Sequence, residues 1–120
     1  MSVSAQLATI VIDCGAPGPL AEFYRALTGW EVTDSDADFV YLGDGGPIQL
    51  AFQRVDGYQP ASWPGPAKQA HLDFKVPDIE RAAKELIERG ATRPEFQPGG
   101  DEWVVLADPA GHLFCLAAAG

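Results

Sequence analysis

The chain contains the same order of predicted elements twice, and this internal repeat limits its possible folds more than any other feature. Each copy begins with a β-rich run that leads into an amphipathic helix, and further β-rich runs follow the helix. The offset between the copies is nearly constant, because Thr9 corresponds to His71 at 62 positions and Ala51 corresponds to Cys115 at 64 positions. The repeat therefore predicts two modules of the form βαβββ.

Two segments are predicted to be helices because their apolar residues recur at helical spacing. The first follows Pro17, which suits the first turn of a helix, and ends at Gly29. The second follows Asp78, a residue type that caps helix N-termini, and ends at Gly90. Each helix directly follows the first β-rich run of its module.

The remaining β-rich runs predict short strands on either side of these helices. They cover residues 9–14, 30–32, 39–42 and 48–55 in the first module, and 71–76, 103–106 and 113–116 in the second, with 91–96 as a further candidate. Three prolines lie within residues 56–68, which are predicted to link module one (8–55) to module two (69–117). At 120 residues, we expect a single α+β domain over residues 1–120.

The charge balance excludes two classes of partner. The chain has 8 basic and 17 acidic residues, a formal net charge of −9. Nucleic-acid binding and attachment to anionic membranes both depend on clustered basic residues, so neither is expected.

The N-terminus lacks the features of a signal peptide, no apolar run is long enough to cross a membrane, and two cysteines are too few for a disulfide scaffold. A cytoplasmic protein is expected.

Short motifs along the chain narrow the fold further. They are Ile12-Asp13-Cys14, Ala21-Glu22-Phe23-Tyr24, Thr28-Gly29-Trp30, Leu50-Ala51-Phe52-Gln53-Arg54-Val55, Trp63-Pro64, His71-Leu72-Asp73 and Asp108-Pro109-Ala110-Gly111-His112. With the tandem βαβββ order, these motifs resemble the glyoxalase/bleomycin-resistance/extradiol-dioxygenase (vicinal oxygen chelate) superfamily, and its glyoxalase-like subgroup, over essentially the whole chain. The resemblance implies that the two modules form a cup-shaped, half-open barrel around a cavity, and that the protein is a homodimer.

The resemblance also indicates where a metal would bind. Metal-dependent members use four positions, which correspond here to Thr9, Ala51, His71 and Cys115, and they typically carry His or Gln and Glu there. Ala51 has no donor atom, Thr9 is a poor neutral ligand, and Cys115 replaces a carboxylate. Only His71 is a typical ligand, so we expect no metal centre and no other cofactor.

Strand alternation predicts which side chains face the cavity that the resemblance implies. The aliphatic faces should pack on the helices, which leaves the faces of Thr9 and His71 toward the cavity. The candidates for proton transfer are His71, Asp73 and Asp13, and the candidates for ligand contact are Tyr41, Gln53, Trp63, Trp103 and Cys115. Two alternatives stay open: His71 is also compatible with a purely structural hydrogen bond to Asp73 or to the backbone, and the aromatic rings with simple filling of the interior.

Two classes of function follow from these candidates. The first is a non-enzymatic protein that binds a small organic molecule, similar to bleomycin-resistance members. The second is a metal-independent lyase or isomerase that uses His71 and Asp73 for acid–base chemistry. A third class is a subunit that serves mainly in assembly with a partner. The competing architecture is a ferredoxin-like α+β fold, which needs only about four strands, fewer than the β-rich runs predicted here.

Overall fold

The computed structural model describes residues 3–119. Within this range the order is β1 (Thr9–Cys14), α1 (Pro17–Thr28), β2 (Glu31–Ser35), β3 (Phe39–Gly43), β4 (Gln49–Arg54), β5 (Leu72–Val76), α2 (Ile79–Glu88), β6 (Trp103–Ala107) and β7 (Leu113–Ala118). The contacts divide the chain into a first unit that ends at Tyr58 and a second unit that begins at Gln59. The predicted α+β class is confirmed. No helix among the described residues combines the length and apolar character needed to cross a membrane.

The sheet of the first unit has the strand order β1-β4-β3-β2. Its first and last strands, β1 and β4, are parallel neighbours, and Val11 is the register partner of Ala51. The β3 strand pairs antiparallel with β4, which makes Tyr41 the other neighbour of Ala51. A parallel pair needs a crossover connection, and α1 lies in that connection.

The sheet of the second unit repeats this arrangement for three strands, in the order β5-β7-β6, and has no counterpart of β2 among the described residues. Its first and last strands are again parallel neighbours, and Asp73 is the register partner of Cys115. The β6 strand pairs antiparallel with β7, which makes Val105 the other neighbour of Cys115. These three positions lie 62 or 64 residues after their counterparts in the first sheet, so the offset in the sequence also describes the strand register.

Each helix covers one face of its own sheet. The ring of Tyr24 on α1 stacks on Phe52 of β4 at 5.2 Å, and Phe74 meets Phe114 edge to face at 5.9 Å beneath α2. Both predicted helix starts are confirmed, since α1 begins at Pro17 and the Asp78 side chain accepts a hydrogen bond from the backbone N–H of Arg81. The opposite face of each sheet carries the strand residues predicted to contact a ligand.

The candidate strand at residues 91–96 was wrong. The segment makes one isolated β-bridge, between Thr92 and Ala107, because Pro94 has no N–H to donate to a continuing ladder. The side-chain amide of Gln97 pairs with the edge of β6 instead: its Nε2 donates to the carbonyl of Val105 at 2.8 Å, and its Oε1 accepts from the N–H of Val105 at 2.9 Å. A side chain therefore takes the place of a strand beside β6.

We predict that Gln97→Leu lowers the free energy of unfolding by about 1–3 kcal/mol, because both backbone groups of the nearly buried Val105 lose a partner. Urea denaturation measures this change. The matched control is Gln59→Leu at an exposed position, where the effect should stay within about 0.5 kcal/mol. Equal losses in the two variants would contradict the assigned role of Gln97.

Candidate functional site

Three side chains of different chemistry converge on the second sheet, on the face opposite α2. His71 precedes β5 by one residue, Asp73 lies two positions further along, and Cys115 is the register partner of Asp73 on β7. Alternation along the strand places His71 and Asp73 on one face, and their side chains meet with Nε2 of His71 3.1 Å from Oδ1 of Asp73. One donor atom from each of the three residues lies within 4.8 Å of the others. We call these residues the His–Asp–Cys cluster.

The proline-rich segment adds a cation and an aromatic ring beside this cluster. Lys68 places its Nζ atom 3.2 Å from Nδ1 of His71 and 5.5 Å from the ring centroid of Trp63. Trp63 is held in turn, because its Nε1–H donates to the carbonyl of Phe96 at 3.4 Å and the two rings lie 5.7 Å apart. Trp63 was predicted to contact a ligand and Lys68 was not, because this segment has no strand or helix periodicity that would indicate the direction of the Lys68 side chain.

These contacts assign the ring hydrogen of His71. A lysine ammonium has only hydrogens to donate, so Nδ1 of His71 must accept from Lys68. The remaining hydrogen then lies on Nε2, from which His71 donates to Asp73. Both ring nitrogens are thus engaged with protein groups in a single tautomer.

The Cys115 thiol is held in its protonated form. Its side chain is 9% exposed, and burial raises the pKa of the thiol above its ordinary value. The negative charge of Asp73, and the hydrogen bond that Asp73 accepts from the thiol, raise this pKa further, whereas the charge of Lys68 lowers it. Cys115 therefore presents a thiol rather than a reactive thiolate. Neither Cys14 nor Cys115 forms a disulfide.

Trp103 lies on the same face of the second sheet as Cys115. The register of β6 on β7 pairs Trp103 with Ala117, one alternate position beyond the pair of Val105 with Cys115. Gly99 packs directly on the indole, since a Cβ atom there would come within 2.5 Å of Cδ2 of Trp103. The half-buried ring is therefore fixed from one side.

The remaining candidates belong to the first unit. Asp13 and Gln53 are register partners on β1 and β4, and Gln53 also faces Phe39 on β3. Tyr41 stacks on Phe39 with ring centroids 5.8 Å apart, on the sheet face opposite α1. The structure thus places the candidate residues in two groups, one in each unit.

In both α+β units, the first and last strands are parallel neighbours in the sheet. This arrangement defines the class of protein as that of the vicinal oxygen chelate superfamily. A sequence model described as "Glyoxalase-like domain" matches residues 9–117. The chain belongs to this glyoxalase-like domain family.

Solved structures share the fold at low sequence identity. A glyoxalase/bleomycin resistance protein/dioxygenase family enzyme from Burkholderia phytofirmans is 19% identical, with a TM-score of 0.74 over 95% of this chain and 98% of that one. A glyoxalase-related enzyme from Fulvimarina pelagi is 23% identical, with a TM-score of 0.67 over 95% and 88%. The trypanothione-dependent glyoxalase I of Leishmania major is 17% identical, with a TM-score of 0.67 over 96% and 87%. No curated protein matches the chain significantly.

The residues present do not fit the metal centre of metal-dependent superfamily members. Of the four corresponding positions, Ala51 is fully buried and has no donor atom, and Thr9 offers only a neutral hydroxyl. In the second unit, His71 is engaged by the ammonium group of Lys68. The donor set expected for the family is therefore incomplete in this chain.

The coupling between Asp73 and Cys115 gives a prediction about thiol reactivity. In a Cys14→Ser background, Asp73→Asn removes a negative charge that raises the pKa of Cys115, so alkylation by iodoacetamide should begin at lower pH. The measurement is the alkylation rate as a function of pH. Asp101→Asn, at an exposed position, is the charge-matched control and should leave the profile unchanged. An unchanged profile for Asp73→Asn would show that the two groups are not coupled.

Proposed function

We propose that the chain binds a small organic molecule at the His–Asp–Cys cluster and its neighbours Trp63, Lys68 and Trp103, without the metal centre of the metal-dependent relatives. Membership of the glyoxalase-like family supports small-molecule binding in general. The observation that carries the proposal is the contact of Lys68 with both His71 and Trp63, because it concentrates donors, an acceptor and an aromatic surface in one place. Asp13, Tyr41 and Gln53 stay predicted site residues of the first unit.

The local charges favour a ligand that is neutral overall. Lys68 contributes one positive charge and Asp73 one negative charge, and the side chain of Asp73 is 71% exposed. One hydrogen of the ammonium group is directed to His71, which leaves two for a ligand acceptor. A polar aromatic molecule with both donors and acceptors matches this set, since its ring can lie against the indole of Trp63.

The hydrogen bonds of His71 favour binding over catalysis. A general base needs a ring nitrogen that can reach the proton of a substrate. In this structure one nitrogen accepts from Lys68 and the other donates to Asp73. The alternative, a metal-independent lyase or isomerase, is supported by the 3.1 Å contact of His71 with Asp73, but it needs the Lys68 contact to open first.

A thermal-shift screen of polar aromatic compounds tests the proposal. A ligand at 100 times its Kd should stabilise the native protein by about 2.7 kcal/mol. Trp63→Ala should weaken the binding of a hit about tenfold, because a ligand loses its largest contact surface, whereas Lys84→Met on the exposed face of α2 should not. Each shift is measured against the ligand-free Tm of the same variant.

The chemical state of the recovered compound distinguishes a binding protein from an enzyme. Recovery of the compound unchanged after incubation supports a binder, and recovery of a transformed compound supports the lyase or isomerase. A hit whose affinity is the same in Trp63→Ala and Lys84→Met would contradict the proposed position of the site.

Metal content is a separate test of the same proposal. Dialysed protein should contain less than about 0.2 equivalents of zinc, nickel, iron or manganese, well below the occupancy of a real site. Elemental analysis measures this quantity. Near-stoichiometric metal that is lost in His71→Ala would overturn the metal-free assignment.

The homodimer and the cytoplasmic location also stay proposals. Dimers are the commonest closed assemblies of soluble proteins and are implied by the superfamily. Sedimentation velocity at several protein concentrations distinguishes a dimer from a monomer of 12.8 kDa.

A further inference from the structure

The donor atoms of the His–Asp–Cys cluster include one nitrogen, one oxygen and one sulfur, all within 4.8 Å of one another. A zinc-like cation that keeps one coordination position open uses three protein ligands of these types. These donors come from the second unit alone, and Asp73 has no place in the four-position set of metal-dependent superfamily members. The proposed function leaves such a cluster without a metal, which requires a physical cause.

Lys68 supplies a physical reason through the tautomer of His71. A cation that binds Nε2 requires a neutral imidazole whose hydrogen lies on Nδ1. In this structure Nδ1 lies 3.2 Å from the Lys68 ammonium, and two donors cannot share one hydrogen bond. The tautomer that the Lys68 contact stabilises is therefore the opposite of the one that a metal needs.

The ammonium charge acts in the same direction. It lies beside His71, so it repels a second cation that approaches the cluster at short range. The side chain is also restrained, since Nζ lies over the ring of Trp63 and the indole is fixed by Phe96. A movement of Nζ away from both groups would cost Lys68 its cation–π contact as well as its hydrogen bond.

We propose that Lys68 is a positioning residue that fixes the Nε2–H tautomer of His71, and that it thereby keeps the His–Asp–Cys cluster hydrogen-bonded and closed to divalent metal. Removal of the ammonium group turns the cluster into a three-ligand metal site. This inference rests on the metal-free part of the proposed function and gives its cause. It does not depend on which organic ligand the site binds.

Cobalt titration of matched variants tests the metal-excluding role, because a cobalt–thiolate bond has a characteristic charge-transfer absorption. Lys68→Met should bind Co²⁺ about 10- to 100-fold more tightly than the wild-type protein, the range typical of changes next to metal ligands. Lys84→Met removes the same charge from an exposed position on α2 and should leave the affinity at the wild-type value. Adding Cys115→Ser to Lys68→Met should abolish the absorption band, which locates the metal at the cluster.

The tautomer is measured directly in the unmodified protein, so the test does not depend on how well a variant folds. Nitrogen-15 NMR of the two imidazoles, with His71→Gln to assign the signals of His112, should show a hydrogen on Nε2 of His71. In Lys68→Met this preference should be lost, whereas Lys84→Met should retain it.

Three outcomes would overturn the inference. They are a hydrogen on Nδ1 of His71 in the wild-type protein, equal cobalt affinity in wild type and Lys68→Met, and an equal gain in Lys84→Met. Wild-type protein that is free of metal in elemental analysis, together with no gain in Lys68→Met, would reject the role of Lys68 while the proposed function stands. Wild-type protein with stoichiometric metal at the cluster would reject both.

Discussion

The parallel pairing of the first and last strands in each unit is the constraint on which the site depends. It brings residues forty or more positions apart in the sequence into direct register, as with Asp73 and Cys115. A parallel pair requires a crossover, and the helix that forms it covers one face of the sheet. The other face is thereby left to the polar and aromatic side chains. Local sequence then decides the chemistry on that face.

The two units use one scaffold for different purposes. The register pair of Val11 and Ala51 in the first sheet is apolar, and its counterpart in the second sheet is Asp73 with Cys115. Thr9 likewise corresponds to His71. Three differences at equivalent positions therefore confine the cluster of potential acid, base and thiol groups to the second unit, while both sheets retain the same pairing.

Features that depend on periodicity could be predicted from the sequence. The repeat offset and both helices follow from this periodicity. The convergence of Asp73 with Cys115 depends on the strand register, which alternation alone does not determine. The candidate strand at residues 91–96 was wrong because Pro94 interrupts the ladder. Gln97 could not be foreseen, since a side-chain amide that replaces a peptide group leaves no periodic signal.

Lys68 shows why net charge describes a site poorly. The chain carries a formal charge of −9, yet one of its three lysines is placed at the His–Asp–Cys cluster. Because charges interact strongly only over short distances in salt solution, the ammonium beside His71 influences this cluster more than the distant carboxylates do. Its position depends on Trp63 and Phe96, whose contact joins segments 33 residues apart. The electrostatics of the site therefore depend on tertiary packing of a segment without regular structure, and for this reason composition alone could not predict them.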